Sequence, residues 1–175
     1  MNKSGVIVLG GHVQGLGITR IYGKLGIPVI VLDSTKFNLA RHSNYCSKFF
    51  HFSEKELLDF LMSDQFGNNL QGYVILPTND KYVEILSTNK EKLSRYYKVG
   101  VEDWNKTEIC YNKRLTYIAA MEVNIPIAQT QMPSKLEYLN FETIEYPCII
   151  KPAVMHGFYA HFKTKVFVCK TKEEL

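Results

Sequence analysis

The stretch Gly5-Val6-Ile7-Val8-Leu9-Gly10-Gly11-His12-Val13-Gln14-Gly15-Leu16-Gly17, continuing through Ile18 to Leu25 and on to Gly26-Ile27-Pro28-Val29-Ile30-Val31-Leu32-Asp33, decides the fold. A short apolar run meets a glycine cluster, and the helix-compatible segment Ile18 to Leu25 follows until Gly26 stops it. The second apolar run, ending in an acid, reads as a strand buried on both faces. Two such strands joined by a helix form a βαβ unit, whose strands are parallel and whose crossover is right-handed.

The alternation continues outward. Lys48-Phe49-Phe50-His51-Phe52 reads as a weak strand, Ser53-Glu54-Lys55-Glu56 as a capping box, and Leu57 to Phe66 as the helix that it starts. Tyr73 to Leu76 is a fourth strand, running into Pro77-Thr78-Asn79-Asp80, where Asn79 or Asp80 can cap a helix from Lys81 to about Thr88. The class is α/β, a doubly wound, Rossmann-like parallel sheet. After about Trp104 the pattern changes. Tyr111 to Asn124 reads as one amphipathic helix with Leu115, Ile118, Ala119 and Val123 on a shared face, ended by Ile125-Pro126. Tyr146 to Pro152 and Lys165 to Lys170 read as two antiparallel strands joined by a loop, so a smaller α+β unit follows the first. The expected division is residues 1–105 and 106–175. Thr171-Lys172-Glu173-Glu174-Leu175 reads as the first turn of a further helix, and the expectation is a piece of a longer protein.

Composition narrows the class of function. Of 175 residues, 46% are hydrophobic and 22% charged, which excludes a disordered or collagen-like chain. Lys and Arg number 21 against 17 Asp and Glu, a dispersed excess that demands no nucleic-acid partner. No apolar stretch approaches the about 18 residues of a membrane helix, and Val6 to Leu9 is too short for a signal-peptide core. A cytoplasmic protein is expected. Cys46, Cys110, Cys148 and Cys169 lie far apart without a CxxC pair, which argues for reduced and mostly buried cysteines rather than a metal knuckle.

A glycine cluster between a buried strand and a helix lets the backbone approach a ligand, and the helix start offers amides and a positive dipole end to a phosphate or carboxylate. His12 and Gln14 stand in that turn, at the carboxyl end of the sheet. The dinucleotide fingerprint GxGxxG is incomplete, since Ile18-Thr19-Arg20 follows Gly15-Leu16-Gly17. Asp33 at the end of the second strand could still hold a ribose, which keeps an NAD(P)-dependent oxidoreductase open. The plain alternative is that Gly10 and Gly11 make a tight turn while Gly15 and Gly17 let helix and sheet pack closely. Two lysines stand out in the second half. Lys113 begins the Tyr111 to Asn124 helix, and Lys151 ends an apolar strand, where an ammonium needs an anion or a path to water. Solvated or edge-guarding lysines are the plain alternative.

In order and spacing, these elements resemble the ATP-grasp ligase superfamily. They are Val6 to Gly11 through Ile27 to Asp33, Leu76-Pro77-Thr78-Asn79-Asp80, Asn112-Lys113-Arg114, Ile125-Pro126, and Tyr146-Pro147-Cys148-Ile149-Ile150-Lys151-Pro152. The resemblance, nearest to carbamoyl-phosphate-synthetase-like proteins and carboxylate-amine ligases, implies a preATP-grasp α/β domain followed by an incomplete ATP-binding subdomain. It implies ATP and Mg2+, an acylphosphate made from a carboxylate, and attack by an amine. Lys113 and Lys151 match the lysines that contact the nucleotide phosphates, and His156 and Gly157 stand where the family has a glycine-rich cover. Gly10, Gly11, His12, Gln14, Gly15, Asn79 and Asp80 are the expected substrate-binding residues. The magnesium ligands and catalytic residues are expected beyond Leu175, which would leave this piece inactive by itself. Partners are then a small carboxylate and an amine, and the α/β domain could support a homodimer. A small-ligand-binding module without activity is the third reading, but only the ligase reading gives both lysines a task.

Overall fold

The computed structural model describes residues 4–53, 55–155 and 157–175. The chain divides into two compact units, Met1–Thr107 and Glu108–Leu175.

The first unit is a five-stranded, wholly parallel sheet in the order β3-β2-β1-β4-β5. Its strands are β1 (Val6–Leu9), β2 (Val29–Asp33), β3 (Lys48–His51), β4 (Val74–Pro77) and β5 (Lys98–Val99). The helices between them are α1 (Val13–Lys24), α2 (Leu57–Met62), α3 (Asp64–Gly67), α4 (Asp80–Thr88) and α5 (Lys90–Leu93). Every residue of β1 and β2 is buried, as their unbroken apolar runs require of strands covered on both faces. Because successive side chains alternate, Ile7, Leu9, Ile30, Leu32 and Ile75 pack with Leu57, Leu61 and Leu86 on one face. Val6, Val8, Val29 and Val31 pack with Ala40, Leu16 and Tyr22 on the other. Each fully buried aliphatic side chain contributes about 1.5–3 kcal/mol relative to exposure, so these two layers carry the unit.

Local chemistry corrects several expected boundaries. Helix α1 starts at Val13 rather than Ile18, so Gly15 and Gly17 are helical and not part of the turn. The expected Leu57 to Phe66 helix is broken at Ser63, which is extended and whose hydroxyl donates to the Phe60 carbonyl and accepts from the Phe66 amide. Half of the expected capping box is present, with the Ser53 amide donating to Glu56 Oε2 at 3.1 Å, but α2 begins only at Leu57, and Glu56 at its N-cap position makes no side-chain cap.

Helix α6 (Trp104–Tyr111) runs across the division between the units, and the second unit continues with α7 (Lys113–Glu122), β6 (Cys148–Ile150), α8 (Phe158–Phe162) and β7 (Phe167–Cys169). The expected helix from Tyr111 to Asn124 is α7, shortened at both ends; Asn112 is extended and its side chain accepts from the Arg114 amide, which separates α7 from α6. Strands β6 and β7 pair antiparallel, as expected, but their loop contains α8 and the last residues form a hydrogen-bonded turn rather than a helix. The cysteines are free thiols, yet only Cys169 is buried; Cys46 and Cys148 are half-buried and Cys110 is exposed. At Cys148 the expected burial fails because β6 lies open, with Ile149 56% and Ile150 39% exposed, and at Cys110 because α6 buries none of its residues.

Candidate functional site

In the first unit β1, β2 and β4 end side by side, since Leu9 pairs with both Leu32 and Pro77. Gly10, Asp33 and Thr78 therefore leave the sheet at one edge, where ligands of open α/β sheets bind. Gly10 turns the chain there with φ +96°, and its amide donates to the Leu32 carbonyl at 2.8 Å. A β-carbon at Gly10 would strike Thr78 Oγ1, so the turn requires glycine. Gly15, one helical turn into α1, faces back on the turn; a β-carbon there would collide with the Gly10 carbonyl oxygen. Gly17 is exposed and a β-carbon on it would meet nothing within 4 Å, so the expected packing role holds for Gly15 alone.

The segment after β2 folds over this turn. Asp33, 6% exposed, accepts the Gly11 amide on Oδ2 at 2.5 Å and the Thr35 amide on Oδ1 at 2.7 Å. The Ala40 amide donates to the Gly11 carbonyl at 2.7 Å. Together they enclose a cleft of about 300 Å³ lined by Gly10, His12, Asp33, Ser34, Asn79 and Tyr82, with Phe37 and Asn38 on its rim. His12 stands at the N-cap position of α1 without a side-chain cap, and its Nδ1 lies 2.6 Å from Gln14 Oε1. Its Nε2 faces Thr78 Oγ1 at 3.3 Å, and that hydroxyl in turn donates to the Leu9 carbonyl at 2.7 Å. Asn79 caps α4 by accepting the Tyr82 amide at 3.0 Å. Burial pushes the Tyr82 phenol up, a hydrogen bond with Ser34 opposes this, and the Asp33 carboxylate adds to the rise. No acidic residue stands in the first turn of α1, and the Asp33 carboxylate meets the Gly11 amide just before it.

Of the substrate-binding residues expected from sequence, Gly10, His12 and Asn79 line this cleft. Gly11 and Gly15 lie buried beneath it, Gln14 orients His12, and Asp80 is exposed in the first turn of α4. Ser34, Thr35, Asn38 and Tyr82 were not expected. A polar segment directly after a buried strand is the signal that could have found the first three. Asp33 has both oxygens engaged by backbone amides, which disfavours the nicotinamide reading that needs it for a ribose.

In the second unit Lys113 is the first residue of α7, and its backbone amide donates to the Ala153 carbonyl at 2.9 Å. Lys151, directly after β6, donates from Nζ to the Tyr117 hydroxyl, and Nζ lies 4.6 Å from the centre of that ring. Tyr117 is one helical turn beyond Lys113, so the two contacts fasten the post-β6 segment along the first turn of α7. The strand before Lys151 is not the buried one expected, and the phenol and its ring supply the partner that the ammonium needs. Gly157 adopts φ +84° with open space around it and precedes α8. His156 lies outside the described residues.

No protein-family model matches the chain. Among curated proteins it is 24% identical over 122 residues to a D-aspartate ligase of Enterococcus faecium (strain Aus0004), covering 65% of this chain and 29% of that protein. Among solved structures, the ADP complex of purK, an N5-carboxyaminoimidazole ribonucleotide synthetase, superposes with a TM-score of 0.74 at 14% identity, over 98% of this chain and 42% of that one. The N5-carboxyaminoimidazole synthetase from Staphylococcus aureus complexed with ADP gives 0.64 at 15% identity, over 99% and 44%. An L-amino acid ligase from Bacillus licheniformis gives 0.67 at 11% identity, over 99% and 41%. The chain spans less than half the length of each of these proteins. Its five-stranded parallel sheet and the smaller unit that follows have the fold of the N-terminal part of the ATP-grasp ligases.

Proposed function

We propose that the chain is the N-terminal part of an ATP-dependent carboxylate-amine ligase, with a preATP-grasp domain over residues 1–105 and the beginning of the nucleotide-binding domain over residues 106–175. The observation that carries this reading is the fastening of the post-β6 segment to α7, where the Lys113 amide meets the Ala153 carbonyl and the Lys151 ammonium meets Tyr117. Two positive charges suit the phosphates of ATP, which in such a reaction phosphorylate a carboxylate before an amine displaces the phosphate. The chain's own contribution is electrostatic and positional. Lys113 and Lys151 bind and orient phosphate oxygens, and Tyr117 holds the Lys151 ammonium. Among the described residues no group of three His, Cys, Asp or Glu could hold a metal ion, so magnesium is given no ligand and no step here.

The cleft of the first unit is the proposed place for the carboxylate-bearing acceptor, at the positive end of α1 with His12, Ser34, Asn79 and Tyr82 as hydrogen-bonding groups. Cytoplasmic location and a homodimer through the first unit belong to the same proposal; no helix among the described residues is long and apolar enough to cross a membrane.

The test is phosphate or ADP release by the complete protein across a panel of amino acids and small acids. ATP consumption that depends on an acceptor is expected, and tight nicotinamide binding without any acceptor-dependent ATP turnover would sink the proposal. In calorimetric titration with a non-hydrolysable ATP analogue, Lys151→Ala should weaken binding by about 1.5–3 kcal/mol, the scale of a charge-assisted hydrogen bond.

A further inference from the structure

The two strands of the second unit set two thiols opposite each other. Cys148 opens β6, Cys169 closes β7, and the antiparallel register makes them direct partners. Opposed residues of an antiparallel pair have Cα atoms about 4.5–5.5 Å apart. A disulfide needs about 4.4–6.8 Å, so the bond closes without displacing either strand. The Cys148 side chain is within hydrogen-bonding reach of the Cys169 thiol.

The thiols differ in access. Cys169 is 2% exposed and donates to the Glu174 carbonyl at 3.4 Å, whereas Cys148 is half-buried. Burial, with the neighbouring Cys148 and the Glu174 carboxylate, pushes the Cys169 thiol up, which suits a thiol that reacts second.

We infer that Cys148 and Cys169 form an oxidative modification site that closes into an intrachain disulfide by exchange with a small-molecule disulfide such as glutathione disulfide. The Cys148 thiolate attacks one sulfur of the reagent, the reagent's S–S bond breaks, and one glutathione thiolate leaves. Cys169 then gives its proton to solvent and attacks the Cys148 sulfur of the mixed disulfide, expelling the second glutathione. The protein thiols are oxidised, and one glutathione disulfide becomes two glutathiones. Because Lys151 follows β6 directly, the bond would fix the base of the segment that carries it.

The test uses the chain carrying Cys46→Ser and Cys110→Ser. Incubation with glutathione disulfide should remove both remaining thiols, leave no glutathione on the protein by intact mass, and give a single linked peptide joining Cys148 to Cys169 on digestion without reductant. In the same background Cys169→Ala should retain one glutathione on Cys148, and Cys148→Ser should leave Cys169 unmodified. Glutathione that stays on Cys148 while Cys169 is present, or modification of Cys169 without Cys148, would overturn the inference. The peptide map of the unsubstituted chain reads the same linkage if a variant fails to fold: a Cys148–Cys169 peptide supports it, and linkage to Cys46 or Cys110 refutes it. None of these readouts involves ATP, so the outcome is independent of the ligase proposal.

Discussion

Replacing Gly15 and Gly17 separately by alanine should move stability in opposite directions, although the two are neighbours on the same helix. In a helix interior alanine is favoured over glycine by about 0.5–1 kcal/mol, because it loses less backbone entropy on folding. At Gly17 nothing stands within 4 Å of the added carbon, so that gain should be seen in full. At Gly15 the methyl meets the Gly10 carbonyl oxygen and, at 3.0 Å, the Gly10 carbonyl carbon. Those atoms are backbone, and they belong to a turn pinned by the Gly10 amide on Leu32 and the Gly11 amide on Asp33, so they cannot swing aside as a side chain would. Overpacking of this kind costs about 1–3 kcal/mol. The helix gain is common to both variants and cancels in their difference, so Gly17→Ala should exceed Gly15→Ala in stability by about 1–3 kcal/mol. Urea denaturation followed by far-ultraviolet circular dichroism measures it. If the two variants agree to within about 0.5 kcal/mol, α1 does not lie on the glycine turn as described.

Three further outcomes follow from single contacts. Burial raises the Tyr97 phenol and its hydroxyl donates to the Leu61 carbonyl at 2.7 Å. Its contribution to stability is whole below the ordinary tyrosine range near about pH 10 and is lost as pH climbs toward the raised folded value, so Tyr97→Phe should cost about 1 kcal/mol at neutral pH and flatten the alkaline decline in melting temperature. Asn112→Ala should cost about 1 kcal/mol by uncapping α7, read as faster amide hydrogen exchange at Arg114 and in the turn after it. Asp33→Asn keeps shape but can accept only one of the Gly11 and Thr35 amides, so denaturation should reveal a loss of about 1.5–3 kcal/mol, and an unchanged midpoint would reject the structural role of Asp33.

Four of the five strands were legible in the sequence, β1 and β2 because only unbroken apolar runs survive where both faces are buried, whereas β5 was missed, its two residues Lys98 and Val99 offering no such run. The helix break at Ser63 and the separation of α7 from α6 at Asn112 were hidden for another reason. At both positions a short polar side chain takes over a backbone hydrogen bond, which the spacing of apolar residues cannot register. Helix α6 was missed because Trp-Asn-Lys-Thr-Glu-Ile-Cys-Tyr has no coherent apolar face, and the structure buries none of its residues. At the candidate sites, the glycine turn, Asn79 and both lysines could be read from their places at element ends. Tyr117 could not, since a tyrosine one turn into an amphipathic helix looks the same whether it meets solvent, core or a lysine from a strand 34 residues later.

Asp33 shows how position alone can mislead and contacts correct it. An acid closing the second strand of a Rossmann-like unit invites assignment to a ribose, because in dinucleotide-binding folds that carboxylate has oxygens to spare. Here Oδ2 binds the glycine turn and Oδ1 binds the loop after β2, so one side chain joins the two backbone segments that shape the cleft. Each oxygen keeps a second lone pair, but the side chain is only 6% exposed, so little of the carboxylate is presented to a ribose, and sharing its oxygens would weaken the amide bonds that hold the turn and the loop. The acid therefore builds the walls of the cleft, as does Asn38 through the Thr35 carbonyl and the Arg41 amide, and in the proposed site recognition is left to His12 and Ser34, which line it.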